Sequence, residues 1–424
     1  MAGTELPGAT GEDNQKKGAV AESFQNYPPP LSLKSKKVLI TTESLGPING
    51  VTRATEQLIA YLLAHQIETA VLAPHFAQPH QSPALPIVRL KGLPLLYNPD
   101  LLVTYPFRLS KVYRRTFRPD IIYLASPASL GLQVWWQARQ SGIPLIANFQ
   151  TDLAFYARLM LPGLLKLNNF GGWSLDRVTS SFLRDAAVKA VLYPSSSSRD
   201  YLLKLGVPEQ KLRGVGRGVD CELFDPRKRQ AQLRQQLAPN GEVLLLCVSR
   251  LSLEKGFEFL AEAYARLCER ATQPLNFRLI ITGGNANAAI AQTVRGYFEK
   301  RGLEVHFTGP LTGEALAAMF ASADIFVFPS LTETFGQVIQ EAMASGLPVV
   351  ARREGGPADL VLPAETGYLA DPPDLAAFCE YTLKLIENAA LRSQMGETAR
   401  KLAENRSWPA INQQISSILT EFAL

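Results

Sequence analysis

The sequence predicts an α/β protein built from two doubly wound, Rossmann-like domains in tandem. Three observations carry that expectation. The chain has 424 residues, more than one core of roughly 100–200 residues accommodates. Short apolar runs of strand length alternate with longer helical stretches. The alternation pauses and restarts near residue 220, where Gly216, Gly218 and Pro226 punctuate the chain.

The elements follow in order. Residues 1–37 are rich in Gly, Pro, Glu, Gln and Lys without periodicity, the composition of a disordered arm. The first domain, residues 38–219, opens on the apolar run Val38-Leu39-Ile40-Thr41-Thr42, then a Gly/Pro/Asn loop and a helical stretch from Thr52 to Ala64. Strands are expected at Glu68–Ala73, Ile121–Leu124 and Pro144–Asn148, with a helix from Gly131 to Gln140. The second domain, residues 220–407, repeats the rhythm. Strands fall at Val243–Val248, Phe277–Thr282, Val305–Thr308, Ile325–Phe328 and Pro348–Val350. Helices fall at Phe257–Glu269, Ala288–Arg301, Gly313–Ala321 and Gln337–Ser345. Residues 408–424 form an amphipathic helix candidate. Strict alternation implies parallel sheets with helices on both faces.

Composition excludes several classes. Apolar residues make up 46% and charged residues 19%, a globular balance. A net charge of +5 implies no strong polyanion partner, so nucleic acid is not expected. Cys221, Cys247, Cys268 and Cys379 are far apart, with no metal-ligand or paired-thiol spacing, as in a reducing compartment. The N-terminus lacks the apolar core of a signal peptide, and no apolar run reaches the ~18 residues of a membrane span. A cytoplasmic protein is expected, with peripheral membrane contact open. Gly214, Gly216 and Gly218 lack the G-x-G-x-x-G spacing of a nicotinamide site, and no G-x-S-x-G supports a hydrolase. No D-x-D run suits a divalent metal, so no metal or other cofactor is expected.

The densest chemical signal runs from Pro329 to Ala342. A buried strand ends, a polar turn follows, and a helix begins near Phe335. Helix N-termini at the carboxyl ends of parallel strands present free N–H groups and positive dipole to anions. Glu333 precedes that helix and Glu341 lies about two turns along it. Two carboxylates so placed suit the hydroxyls of one extended ligand. They equally suit a dipole partner and a solvated helix residue.

The wider pattern decides between those readings. Glu333-Thr334-Phe335-Gly336, with Glu341 eight residues after Glu333, resembles the E-x7-E motif of retaining glycosyltransferase family 4. Val248-Ser249-Arg250-Leu251 and Glu254-Lys255-Gly256 look like its diphosphate-binding Arg and Lys segments. Gly355-Gly356-Pro357-Ala358-Asp359 and Thr366-Gly367-Tyr368-Leu369 look like its later segments. Pro47-Ile48-Asn49-Gly50-Val51 resembles the phosphate-facing loop, and Gly216-Arg217-Gly218-Val219-Asp220 the turn into the second domain. The N-G-V and R-G-V-D forms are most similar to the branch of GDP-mannose-dependent mannosyltransferases and sulfoquinovosyltransferases.

The resemblance implies the GT-B fold: two Rossmann-like domains facing across a cleft, acceptor on the first, nucleotide sugar on the second, and the last helix crossing back. It implies a metal-independent, retaining transfer of a hexose, foremost mannose from GDP-mannose, to an acceptor hydroxyl. Arg250 and Lys255 would stabilise charge on the leaving diphosphate. Glu333 would position the sugar and Glu341 the ribose. Asn49, Gly50, Gly283, Gly284, Thr334, Phe335, Gly336 and Gln337 complete the implied donor-binding set.

Two departures stand out. Where many relatives carry a His, the segment Asn148-Phe149-Gln150-Thr151-Asp152 has Gln150, which hydrogen-bonds but takes no proton. Gln150 and Asp152 are counted with the catalytic set at that position. Thr282-Gly283-Gly284-Asn285 lacks the acid often found there, which leaves the base less defined. A UDP-sugar transferase and a catalytically silent nucleotide-sugar-binding partner are the alternatives. The acceptor, whether lipid, glycan or small natural product, is not specified. Arg108, Lys111, Arg114, Arg115 and Arg118 with nearby aromatics read either as an acceptor or membrane surface or as a solvated helix face.

Overall fold

The computed structural model of the chain describes residues 24–43, 45, 50–75, 87–95, 98–105, 117–125, 129–150, 167–270, 276–285, 287–330, 333 and 335–423. Contacts divide it into two units: residues 1–193, 199–215 and 408–424, and residues 194–198 and 216–407.

In the first unit a seven-stranded sheet has the order β3-β2-β1-β6-β7-β8-β9. Its strands are β1 (Lys37–Thr41), β2 (Glu68–Pro74), β3 (Ile87–Leu90), β6 (Ile121–Leu124), β7 (Leu145–Asn148), β8 (Val188–Tyr193) and β9 (Leu212–Gly214), with a separate hairpin of β4 (Gly92–Leu95) and β5 (Asn98–Thr104). All pairs in the large sheet are parallel, with Val38 opposite both Thr69 and Ile121. The central strands are mostly apolar and almost fully buried because helices cover both faces. One face carries α1 (Gly50–Ala64) and the C-terminal helix, Trp408–Phe422; the other carries α2 (Ser129–Ser141) and α3 (Leu167–Arg184).

The C-terminal helix belongs to this unit. Ile415, Ile418 and Leu419, at helical spacing, pack with Leu58, Ile59 and Leu62 of α1. Asn412 Nδ2 donates to the Gln57 carbonyl at 3.0 Å. The crossing helix expected from the family resemblance is therefore present.

The expected disordered arm is corrected over residues 24–37. Phe24 and Leu33 are buried in the same core, and a 3-10 turn spans Leu31–Ser35. Tyr61 Oη donates to the Tyr27 carbonyl, and Gln413 Nε2 to that of Pro28. Two isolated apolar residues among prolines leave no periodicity to read, yet each fills a place against α1 and the last helix.

The second unit holds a six-stranded parallel sheet of order β12-β11-β10-β13-β14-β15. It is built from β10 (Val243–Val248), α6 (Phe257–Arg270), β11 (Phe277–Thr282), α7 (Ala288–Glu299), β12 (Val305–Gly309), α8 (Gly313–Ser322), β13 (Ile325–Phe328), α9 (Gln337–Ala344), β14 (Val349–Arg352) and β15 (Gly367–Ala370). In chain order α4 (Ser196–Lys204), most of which belongs to the first unit, and α5 (Ala231–Leu237) precede β10. Strand order reverses between β10 and β13. Ligands in open parallel sheets bind beyond the carboxyl ends of strands at such a reversal. Val219, in the expected linker, is buried in this unit's core and bonds through its N–H to the Arg406 carbonyl.

Candidate active site

The carboxyl ends of β10 and β13 carry the residues singled out from sequence. After β10 the chain runs through Ser249 and Arg250 into a 3-10 turn, Leu253–Lys255, that ends at Gly256. Gly256 is left-handed, at φ +73°, and a Cβ there would lie 2.0 Å from the Pro329 carbonyl oxygen. Only glycine lets this loop close so tightly on the end of β13. The closure sets Lys255 Nζ 2.9 Å from Glu333 Oε2, with the ammonium 6.0 Å from the Phe328 ring centroid. Both side chains are mostly shielded, at 16% and 21% exposure.

Glu333 is fixed from the other side by the Gly355-Gly356 turn, where Gly356 N–H donates to the Glu333 carbonyl at 2.8 Å. Gly336 caps α9 in a left-handed conformation. Gln337, assigned to donor binding from the resemblance, uses its side chain to donate to the Gly218 carbonyl at 3.0 Å. Phe335 is buried, with the Arg217 guanidinium 5.9 Å from its ring centroid. Glu341 is 4% exposed, which removes the solvated-helix alternative for that residue.

Arg250 is different. Its side chain is 66% exposed and its nearest carboxylate is Glu254, at 3.7 Å. The two form an ordinary surface ion pair, but one this long and exposed contributes little and leaves the guanidinium open to a stronger anion. Gly283 and Gly284 follow β11 directly beside this loop, with Leu251 N–H donating to the Gly284 carbonyl.

Arg250, Lys255, Glu333, Phe335, Gly336, Gln337, Glu341, Gly283 and Gly284 all belong to the second unit. Gly50 and Gln150 belong to the first: Gly50 begins α1, and Gln150 is buried just beyond β7. Asn49, Asp152 and Thr334 lie outside the described residues, as do Arg108, Lys111, Arg114 and Arg115 of the basic cluster. Arg118 of that cluster is exposed, and Phe117 beside it is buried with Lys37 Nζ 5.9 Å from its ring centroid. Among the described residues no group of three or more His, Cys, Asp or Glu is placed to hold a metal ion, and no helix is long and apolar enough to cross a membrane.

Sequence reasoning passed over Glu43. It lies two residues beyond β1, at the strand-order reversal of the first sheet, and is 1% exposed. Its Oε1 accepts N–H bonds from Leu130 at 2.6 Å and Gly131 at 3.1 Å, in the first turn of α2. Burial pushes its carboxyl up to about 8, against the lowering effect of those N–H groups. The available signal was an acid directly after the first apolar strand.

A pair of cations and a carboxylate gathered at a strand-order reversal suits an anionic ligand that also carries hydroxyls. Comparison with known proteins shows the family. Residues 48–223 match the Glycosyltransferase Family 4 model and residues 228–402 the model for Glycosyl transferases group 1. A GDP-mannose-dependent alpha-mannosyltransferase of Mycolicibacterium smegmatis is 34% identical over 389 residues, covering 89% of this chain and 96% of that protein. Sulfoquinovosyl transferase SQD2 of Arabidopsis thaliana is 29% identical over 378 residues, covering 87% and 70%. Among solved structures, sucrose-phosphate synthase from Thermosynechococcus elongatus superposes with a TM-score of 0.73 at 23% identity, covering 91% and 98%. Anabaena Alr3699/HepE in complex with UDP gives 0.71 at 22%, covering 91% and 100%. At those identities the structures speak to the fold, which is GT-B.

Proposed function

This chain belongs to glycosyltransferase family 4 and transfers a sugar from a nucleotide-sugar donor, and from that premise we propose that the donor is GDP-mannose and the transfer is retaining and metal-independent. The observation that carries the site assignment is the Lys255–Glu333 ion pair at the β10/β13 reversal, set by the same glycine-closed loop that carries Arg250. The choice of GDP-mannose is supported by the mannosyltransferase relatives, which align with this chain over nearly its whole length.

On this reading, bond cleavage loads negative charge on the departing diphosphate. Lys255 meets it as a point charge and Arg250 as a two-pronged donor. Glu333 orients the sugar while its ion pair keeps Lys255 in place. Glu341, on the second turn of α9, takes the ribose hydroxyls. For Gly50 we propose an N–H contact to phosphate, and for Gln150 a hydrogen bond to a sugar hydroxyl that moves no proton. No covalent intermediate is required of Glu333, since positioning and electrostatics suffice.

The test is thermal-shift binding with GDP, UDP, GDP-mannose and UDP-glucose for wild type and Arg250→Ala. GDP and GDP-mannose are expected to stabilise the wild type and to lose most of that effect in the variant. Stabilisation by UDP instead would overturn the donor assignment, and no shift with any nucleotide would overturn the site.

A further inference from the structure

We infer that Asn285 is the residue that positions the Arg250 loop, and that it does so through an amide no carboxylate can replace. The inference rests on the donor reading above and deepens it. Among the described residues the Arg250 side chain makes only the long contact to Glu254, so the placement of its guanidinium depends on its backbone. That backbone is held by neighbours on β11. Ser249 N–H donates to the Thr282 carbonyl at 3.0 Å, and Leu251 N–H to the Gly284 carbonyl at 3.1 Å. A Cβ at Gly283 would lie 1.8 Å from the Ser249 carbonyl oxygen, so the two segments are in direct backbone contact.

Among the described residues, the side chain that closes this contact is that of Asn285. Its Nδ2 donates to the Leu251 carbonyl at 2.8 Å, and its Oδ1 accepts from Asn287 N–H, also at 2.8 Å. These partners fix the orientation of the amide, because one side must donate and the other accept. Asn287 in turn caps α7, accepting from Ala289 and Ile290 N–H. One amide therefore ties the residue after Arg250 to the start of a helix. An aspartate of the same shape would keep the Asn287 contact but set an oxygen against the Leu251 carbonyl.

The experiment compares Asn285→Asp and Asn285→Ala with wild type, each with and without Arg250→Ala. Donor kcat/KM is expected to fall by about tenfold or more for Asn285→Asp with a folded protein, as misplacement of a positioning group does. In the Arg250→Ala background the same change is expected to cost about twofold or less, because it acts through Arg250. An equal loss in both backgrounds, or no loss, would overturn the inference. Hydrogen exchange needs no nucleotide: the Leu251 amide is expected to exchange faster in both Asn285 variants while the β10 amides do not change. Unaltered exchange at Leu251 would overturn the bracing itself. Should wild type bind no nucleoside diphosphate, the donor reading fails whatever Asn285 does, and the exchange data alone decide whether the amide holds the loop.

Discussion

Glu43 and Glu333 are carboxylates at the ends of parallel strands, yet their surroundings give them opposite characters. Glu333 faces the Lys255 ammonium at 2.9 Å and is suited to work as an anion. Glu43 faces two amide N–H groups in an apolar interior, and its carboxyl sits at about 8. At neutral pH it is therefore largely protonated in the folded chain and ionised in the unfolded one, whose carboxyl has the ordinary value of 4.5. The unfolded state then binds fewer protons across the interval from 4.5 to about 8, so stability falls as pH rises through it and levels off above. The slope of one such proton is roughly 1.4 kcal/mol per pH unit. Glu43→Gln keeps a carbonyl for Leu130 and Gly131 but cannot ionise. Its unfolding free energy, measured in urea at pH 5, 6.5 and 8, is expected to lack that slope. Identical slopes in wild type and variant would show that Glu43 is ionised in the folded state.

At the scale of elements, the loop from Ser249 to Gly256 is shaped more by what it touches than by its own residues. Gly256→Ala has to relieve both a left-handed φ and a 2.0 Å approach to Pro329, so a stability loss of about 1–3 kcal/mol is expected. Nucleotide affinity should fall with it, because Lys255 is the preceding residue. A variant with unchanged denaturant midpoint and unchanged affinity would mean that the loop does not depend on this closure. Such dependence explains what was legible in the sequence. Strands such as Val243–Val248 and Ile325–Phe328 were read to the residue, since an apolar run with helices over both faces has one meaning. The edge strand Leu212–Gly214 is three residues long, too short for any period, and the hairpin of β4 and β5 contains prolines that argue against strand. At the site, resemblance to the family's motifs pointed to Lys255 and Glu333, but their pairing across 78 positions of sequence is a property of the fold. Glu341 offered two readings from sequence, and only its burial separated them. Glu43 was missed because a lone acid after a strand carries no pattern, and Asn285 because a hydrogen bond to a carbonyl leaves none.

At the scale of the whole molecule, chain order and structural membership part company. The last helix completes the core of the first unit, where Leu419 is fully buried beside Leu58 and Leu62, whereas the proposed donor residues Arg250, Lys255, Glu333 and Glu341 are all in the second unit. Each unit has its own buried clusters, and none of these clusters draws residues from both. Damage to the C-terminal helix should therefore register as lost stability of the first unit rather than as lost donor affinity. Leu419→Ala removes a fully buried side chain, and a cost of about 2–5 kcal/mol is expected. Scanning calorimetry of this variant should show the transition of the first unit moved to lower temperature. GDP should still raise the transition of the second unit in proportion to its occupancy, since a ligand stabilises what it binds. If instead the variant loses GDP affinity at temperatures where it is fully folded, the assignment of donor binding to residues of the second unit fails.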